Sequence, residues 1–170
     1  FVRAIEIDPG FEAAVNQLAS TLAKGAGRAA YSLALELLRV QRGHLNGPSM
    51  ASAAIVEREA GFVDSAVALE VRALGMPGVD SGVVDIELAR DLFRLGRVAE
   101  AKEAYFRGAG SSSSLASAAY LANLQWVATP AELRAWENLS PVRRPEWLAA
   151  FWSRRDVYDG RNEGERLIEH

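Results

Sequence analysis

The 170-residue sequence contains no cysteine and only two histidines, so the side chains that most often bind metals or act as nucleophiles are scarce. The absence of cysteine excludes disulfide bonds and thiolate metal sites. The histidines, His44 and His170, belong to no spacing that would build a metal site or a base–nucleophile pair. We therefore expect no catalytic site, no metal site and no cofactor in this chain.

The sequence also lacks long hydrophobic runs and a strong charge of either sign. No apolar stretch approaches the ~20 residues that a membrane-spanning helix requires. The formal net charge is −3, which creates no general attraction to nucleic acid. We predict neither a membrane span nor nucleic-acid binding. Arginines outnumber lysines by 17 to 2, which we interpret as a coding bias, with recognition of carboxylates or phosphates as the alternative.

Hydrophobic residues at helical spacing are abundant, most clearly between Asp85 and Gly108. Apolar residues recur at three- and four-residue steps from Ile86 to Leu95, which predicts a helix with one buried face. Gly96 can supply the left-handed residue that ends this helix. A second helical pattern follows at once. Two helices joined by so short a turn form a hairpin, which cannot bury both of its faces alone, so similar neighbours are expected.

The turn of this hairpin recurs along the chain as a glycine followed five residues later by an alanine. The three pairs, 36 and 35 residues apart, are Gly25 with Ala30, Gly61 with Ala66, and Gly96 with Ala101. Small residues at matched positions let paired helices approach closely. The segment LARDLFRLGRVAEAKEAYFRGA resembles a unit of the tetratricopeptide repeat (TPR) family, whose units are helix–turn–helix. The segment GFVDSAVALEVRALGMPG resembles the second half of another unit.

The TPR resemblance covers roughly residues 1–139 and is strongest over 50–110. At the start, FVRAIEIDP resembles the last helix of a further repeat, so we expect the chain to be part of a longer protein. Between Gly10 and Gly43 the pattern predicts a degenerate unit. The resemblance implies an all-α, TPR-like α-solenoid of about four helical hairpins with C-terminal capping helices.

Several helix starts carry side-chain oxygens that can accept hydrogen bonds from the first backbone amides. We predict that Ser49 caps a helix ending at Ala60, and that Asp80 or Ser81 caps the helix that follows. Thr129, with a proline next to it and Glu132 three residues on, predicts a capping box.

The sequence changes character past Leu139, and all four tryptophans lie after position 125. A proline-rich break is followed by a predicted short amphipathic helix from Glu146 to Arg155. The segment PEWLAAFWSRRDVYDGRNEGERLIEH resembles the opening of the bacterial GWxTD domain, although the motif that names that family is absent. The matching residues are Trp147, Phe151, Trp152, Arg154, Arg155 and Asp156. The resemblance implies a bacterial, multidomain parent protein and leaves export open.

We treat residues 140–170 as a separate aromatic-rich segment whose six matching residues are a candidate docking site for a further domain. The alternative is a local structural role. In that case the two arginines satisfy the helix end and an ion pair forms between Arg154 and Asp156.

In a stacked repeat array, the first helix of each unit lines a concave surface where partners bind. The helical period places a basic and aromatic strip on this surface, formed by Arg58, Arg90, Phe93, Arg94, Gln125 and Trp126. Arg90 and Arg94 lie four residues apart and could grip a carboxylate of an extended peptide or a neighbouring subunit. The alternative is a solvated arginine face, with the aromatic residues packed into the stack.

We interpret the chain as a protein–protein interaction scaffold or adaptor segment whose partners are other proteins or copies of itself. One alternative is a structural subunit that packs by its ends, which predicts a large exposed apolar patch. A second is the non-catalytic repeat region of an enzyme whose active domain lies outside this chain, and a convergent polar pocket would favour it. An open groove with exposed Arg90 and Arg94 would favour the adaptor.

Overall fold

The computed structural model describes residues 1–8, 10–23, 28–162 and 164–170. All regular structure among these residues is helical, as the hydrophobic periodicity predicted. The chain divides into two compact units, Phe1–Val79 and Asp80–His170. The predicted division between residues 139 and 140 therefore falls inside the second unit.

All regular structure in the described residues of the first unit is helical, and two of its helices form a clear hairpin. Its helices are α1 (Val2–Ile7), α2 (Glu12–Ala23), α3 (Arg28–Val40), α4 (Gly47–Glu59) and α5 (Val63–Leu74). In the turn between α4 and α5, Gly61 has a left-handed φ of 90°. Ala66, five residues later, is completely buried, as expected of a small residue between closely paired helices. The predicted turn at Gly25 and the side chain of Ala30 lie outside the described residues.

The start of α4 corrects one predicted cap. Asn46, not Ser49, caps this helix, since its side-chain oxygen accepts a hydrogen bond from the backbone amide of Ser49 at 2.9 Å. The Asn46 amide also donates to the carbonyl of Gly10 at 2.8 Å, which ties the start of α4 to the connection before α2. The buried core of this unit includes Ile5, Val15 and Met50.

The second unit contains a further hairpin followed by shorter helices. Its helices are α6 (Ser81–Arg94), α7 (Val98–Ala109), α8 (Ser114–Leu124), α9 (Pro130–Glu137), α10 (Arg144–Asp159) and α11 (Glu165–Glu169), with a 3-10 turn over Pro141–Arg143. Gly96 adopts φ 72° between α6 and α7, and Ala101 is completely buried. The two described Gly–Ala turns thus share one local geometry.

Two glycines allow α6, α7 and α8 to approach closely. A Cβ atom on Gly82 would lie 2.7 Å from the Cβ of Ala116. A Cβ on Gly108 would lie 2.7 Å from both the Cβ of Asp85 and the hydroxyl oxygen of Tyr120. Real Cβ atoms do not approach that closely, so both positions require glycine for packing and not for backbone freedom.

In the second unit the structure has the predicted helix caps, but two helices have bounds that differ from the predicted ones. Asp80 caps α6, and Thr129 and Glu132 form the predicted capping box of α9. The helix predicted to reach Val127 ends at Leu124. The helix predicted over 146–155 runs from Arg144 to Asp159, because Pro145 lies in its first turn, where a missing amide hydrogen costs no hydrogen bond.

A row of contacting aromatic rings runs through the second unit. Neighbouring ring centroids along the row are 5.1–5.9 Å apart, within the usual range of favourable aromatic pairs. The row consists of Tyr105, Tyr120, Trp136, Trp147, Phe151, Trp152 and His170. Most of the aromatic residues predicted for domain docking therefore belong to the unit's own core.

Candidate protein-binding site

A cavity of about 450 Å³ lies in the second unit, along one face of α6. Residues three and four apart on a helix share a face, so five α6 side chains line the cavity together. They are Ile86, Ala89, Arg90, Phe93 and Arg94. The remaining walls come from Tyr105 on α7, Asn123 on α8 and residues 167–170 of the C-terminal segment. The cavity thus combines an apolar floor with two cationic groups.

Arg90 and Arg94 are each tied to their own helix but keep about half of their side-chain surface exposed. The Nη1 atom of Arg90 lies 2.7 Å from Glu87, and its side chain is 46% exposed. The Nη1 atom of Arg94 lies 3.8 Å from the buried Asp91, and its side chain is 51% exposed. A guanidinium carries five N–H donors. Both arginines can therefore donate to a ligand without breaking their existing ion pairs.

The wall opposite α6 is polar at one point. The Tyr105 hydroxyl donates to the side-chain oxygen of Asn123 at 3.2 Å, and the Asn123 carbonyl lies 3.2 Å from Nε2 of His170. Burial raises the pKa of Tyr105, so its hydroxyl stays protonated and can donate. Partial desolvation lowers the pKa of His170 below its ordinary value, which favours the neutral ring.

The structure brings together three of the six residues predicted for the concave strip. Arg90, Phe93 and Arg94 share the cavity. Gln125 and Trp126 do not line it, because α8 ends at Leu124 and the helical period used to place them does not extend past that residue. Arg58 is buried in α4 of the first unit, with its Nε atom 3.6 Å from Glu59. Burial removes Arg58 as a surface contact.

The six residues predicted for domain docking are mostly occupied within the second unit. Phe151, Trp152 and Asp156 are buried, Trp147 is half-buried and Arg154 is exposed. The Asp156 carboxylate accepts hydrogen bonds from the amides of residues 164 and 166, at 2.6 and 2.8 Å. Asp156 thus fixes the start of α11. The local alternative predicted from the sequence was an ion pair between Asp156 and Arg154.

Arg155 has a partner that its sequence neighbourhood does not indicate. Its guanidinium donates to both carboxylate oxygens of Glu132, at 3.0 and 2.8 Å, and to the carbonyl of Val127 at 3.0 Å. It also lies 3.9 Å above the ring of Phe151, a cation–π contact. Arg155 is therefore a structural residue that joins α10 to α9 and to the turn after α8.

The C-terminal wall of the cavity was not anticipated. Leu167, Ile168 and Glu169 line it from α11. The one signal in the sequence was an apolar pair within a short, otherwise charged segment, which is too brief for a periodicity argument. Comparisons with protein-family models, with curated proteins and with solved structures give no match.

Two further searches apply to the described parts of the chain. Over residues 1–8, 10–23, 28–162 and 164–170, no helix combines the length and hydrophobicity needed to cross a membrane. The same residues contain no group of three or more His, Cys, Asp or Glu side chains arranged to hold a metal ion.

Proposed function

We propose that this chain is a protein–protein interaction segment, a scaffold or adaptor portion of a larger protein or assembly. The cavity beside α6 is its binding site for part of the partner. One observation supports this most directly, namely that Arg90, Phe93 and Arg94 line a single open cavity on one helix face. Its volume of about 450 Å³ is in the range typical of ligand sites, about 300–1,000 Å³.

The chemistry of the cavity suits a protein segment. Arginine and aromatic residues are enriched among the contacts that dominate binding energy at protein interfaces. The apolar floor would supply affinity by burying a partner side chain, while the arginines would orient an acidic group through paired hydrogen bonds. Both kinds of contact are available within the reach of one α6 face.

We further propose that the hairpins belong to a TPR-like repeat array. The support is local: the α4–α5 and α6–α7 turns share a left-handed glycine and, five residues later, a completely buried alanine. For residues 140–170 we propose only that their likeness to the opening of the GWxTD domain favours a bacterial parent protein.

A double substitution tests the binding site. The chain serves as bait, and partners in native assemblies are crosslinked to it. We expect the variant with both Arg90→Ala and Arg94→Ala to capture at least tenfold less of these partners than the wild type, because interface arginines commonly contribute ~1 kcal/mol or more each. Capture is measured by quantitative mass spectrometry. The matched control is Arg134→Ala with Arg143→Ala, which removes two exposed arginines that do not line the cavity.

Two results would contradict this proposal. Equal capture by the double variant and the wild type would show that the cavity does not bind the partners. A large drop in the melting temperature of the double variant would assign the two arginines a structural role. The control pair has to behave as wild type for either result to be read in this way.

A second candidate function, a structural subunit that packs against copies of itself, is favoured by a different observation. Val157 and Tyr158, adjacent on the last turn of α10, are 78% and 89% exposed. Two adjacent exposed apolar side chains can form part of a contact between copies of the chain. The third possibility, an enzyme, would depend on residues outside this chain.

A further inference from the structure

Helix α11 is a five-residue element held to the second unit by a few specific contacts. It begins after Gly164, whose φ of 83° is left-handed. The carboxylate of Asp156 accepts the amides of Gly164 and Arg166. One side chain, Leu167, is buried. An isolated helix of this length is unstable in water, so its conformation depends on these contacts.

Leu167 lies between two cavities. It lines the cavity of about 450 Å³ beside α6 and also a second one of about 110 Å³ on the side of α7 and α10. The second cavity is lined by Lys102, Phe106 and Trp152, among others. Helix α11 is thus the partition between two spaces. We refer to these two spaces together as the groove, whose lining includes Phe93, Phe106 and Trp152.

Helix α11 also has the chemistry that the groove would select in a ligand. Leu167 and Ile168 place apolar side chains against an apolar surface, and Glu169 lines the same cavity as Arg90 and Arg94. The His170 ring continues this contact, with its centroid 5.1 Å from that of Trp152. The Glu169 carboxylate pairs with Arg161 and Arg166, while Arg90 and Arg94 in the same cavity pair with Glu87 and Asp91. A carboxylate of a bound segment could therefore reach Arg90 and Arg94, which keep about half of their side-chain surface exposed.

We propose that α11 is an internal occupant of this groove. The partner of the second unit is then a short helix that carries a leucine–isoleucine pair followed by a glutamate, and it takes the place of α11. This inference rests on the proposed function and specifies the partner for the same site. Short segments with few buried contacts open locally at much lower cost than the whole unit unfolds. Displacement of α11 therefore leaves the rest of the core folded.

The intact chain conceals this site from a free peptide. Because α11 is joined to α10 by a short connection, its effective concentration at the groove is on the order of millimolar. A peptide in solution then competes poorly with it. The groove has to be vacated in the full chain before binding can be measured, and Leu167→Asp does so without changing any residue on the opposite walls.

The test uses a fluorescently labelled peptide with the sequence of residues 160–170, GRNEGERLIEH. We expect full-length Leu167→Asp to bind it at least tenfold more tightly than the wild type in fluorescence anisotropy. Val142→Asp, which introduces the same charge at an exposed position, should behave as wild type. A second peptide carrying the Leu167→Asp change should bind at least tenfold more weakly to the vacated groove.

Failure of this inference can be distinguished from failure of the proposed function. If folded Leu167→Asp does not bind the peptide while the wild type still captures partners through Arg90 and Arg94, α11 is a fixed wall and the inference is wrong. If near-ultraviolet circular dichroism shows that Leu167→Asp is unfolded, hydrogen exchange of the wild type tests the inference instead. Amides of Arg166 and Ile168 that exchange tenfold faster than those in the middle of α10 support displacement, and equal rates overturn it.

Discussion

At the residue scale, the contact between Arg155 and Glu132 shows how a charged pair stabilises the second unit. The pair is partly shielded from solvent and uses two parallel hydrogen bonds, the strongest geometry for such a contact. Glu132 simultaneously closes the capping box by accepting the amide of Thr129 at 2.9 Å. These bonds favour the ionised carboxylate, and they lower the pKa of Glu132 from 4.5 to about 2.

This lowered pKa predicts a defined pH dependence of stability. Because the folded pKa lies below the unfolded one, the contribution of Glu132 is fully present above about pH 4.5 and is lost as the pH falls toward about 2. We expect Glu132→Gln to lower the free energy of unfolding at pH 7 by about 1 kcal/mol, after allowance for solvent screening. The difference from wild type should shrink through the acid window, as measured by urea unfolding at a series of pH values.

The exposed Glu146→Gln is the matched control for that titration. Its carboxylate lies 3.4 Å from Arg143 with both side chains largely exposed, so its removal should change the free energy of unfolding by less than about 0.5 kcal/mol. A difference between Glu132→Gln and wild type that stays constant from pH 7 to pH 2 would contradict the assignment of this stabilisation to the ionised pair.

The sequence predicts one half of this arrangement and not the other. The capping box of Thr129 and Glu132 was predicted because both partners lie within one helical turn, where spacing alone determines contact. The partner of Arg155 lies 23 positions away. Such a pairing depends on how α9 and α10 pack, which no local pattern encodes. The local alternative predicted from the sequence was an ion pair between Arg154 and Asp156.

At the scale of elements, the close approach of α6, α7 and α8 depends on two residues without side chains. A Cβ at Gly82 would lie within 2.7 Å of Ala116 on α8, and one at Gly108 would meet Asp85 on α6 at the same distance. Both neighbours are at or next to the backbone and cannot move aside as a flexible side chain would. The helices themselves would have to separate.

We therefore expect Gly82→Ala and Gly108→Ala each to lower the free energy of unfolding by about 1–3 kcal/mol, the usual cost of overpacking. Alanine forms helices better than glycine, so a loss of stability would have to come from packing. Gly43→Ala is the control. A Cβ there meets nothing within 4 Å, and the change should be neutral or stabilising by up to about 1 kcal/mol. Thermal unfolding that ranks Gly43→Ala with the other two would contradict the packing argument.

Element types could be predicted more completely than element ends. Hydrophobic periodicity predicted the described helices of both hairpins, and Gly61 and Gly96 adopt the left-handed conformation expected of helix-ending glycines. The end of α8 was placed three residues too late because the apolar Trp126 and Val127 continue the pattern. Trp126 is 79% exposed in the turn after α8. Hydrophobicity alone does not distinguish a helix continuation from a solvent-exposed turn.

At the scale of the molecule, the candidate site was predictable only where it lies on one regular helix. Arg90, Phe93 and Arg94 share one face of α6 and line one cavity, as expected of residues that a single helical period relates. Arg58 was assigned to a surface by the same rule, yet α4 is buried around most of its circumference. The wall formed by α11 follows from chain packing after Gly160, where a left-handed turn with φ 65° ends α10. Periodicity carries no information on such a return.

The exposed pair at the end of α10 leads to a prediction about assembly. If Val157 and Tyr158 mediate self-packing, as the second candidate function requires, Val157→Asp with Tyr158→Asp should raise the dissociation constant of self-association at least tenfold, equivalent to 1.4 kcal/mol or more. Sedimentation equilibrium over a range of protein concentrations measures this constant. The control is Val71→Asp, an exposed apolar residue on α5 of the first unit. A wild type that sediments as a monomer at every concentration would exclude self-packing through this surface, and the adaptor would then be the stronger of the two functions.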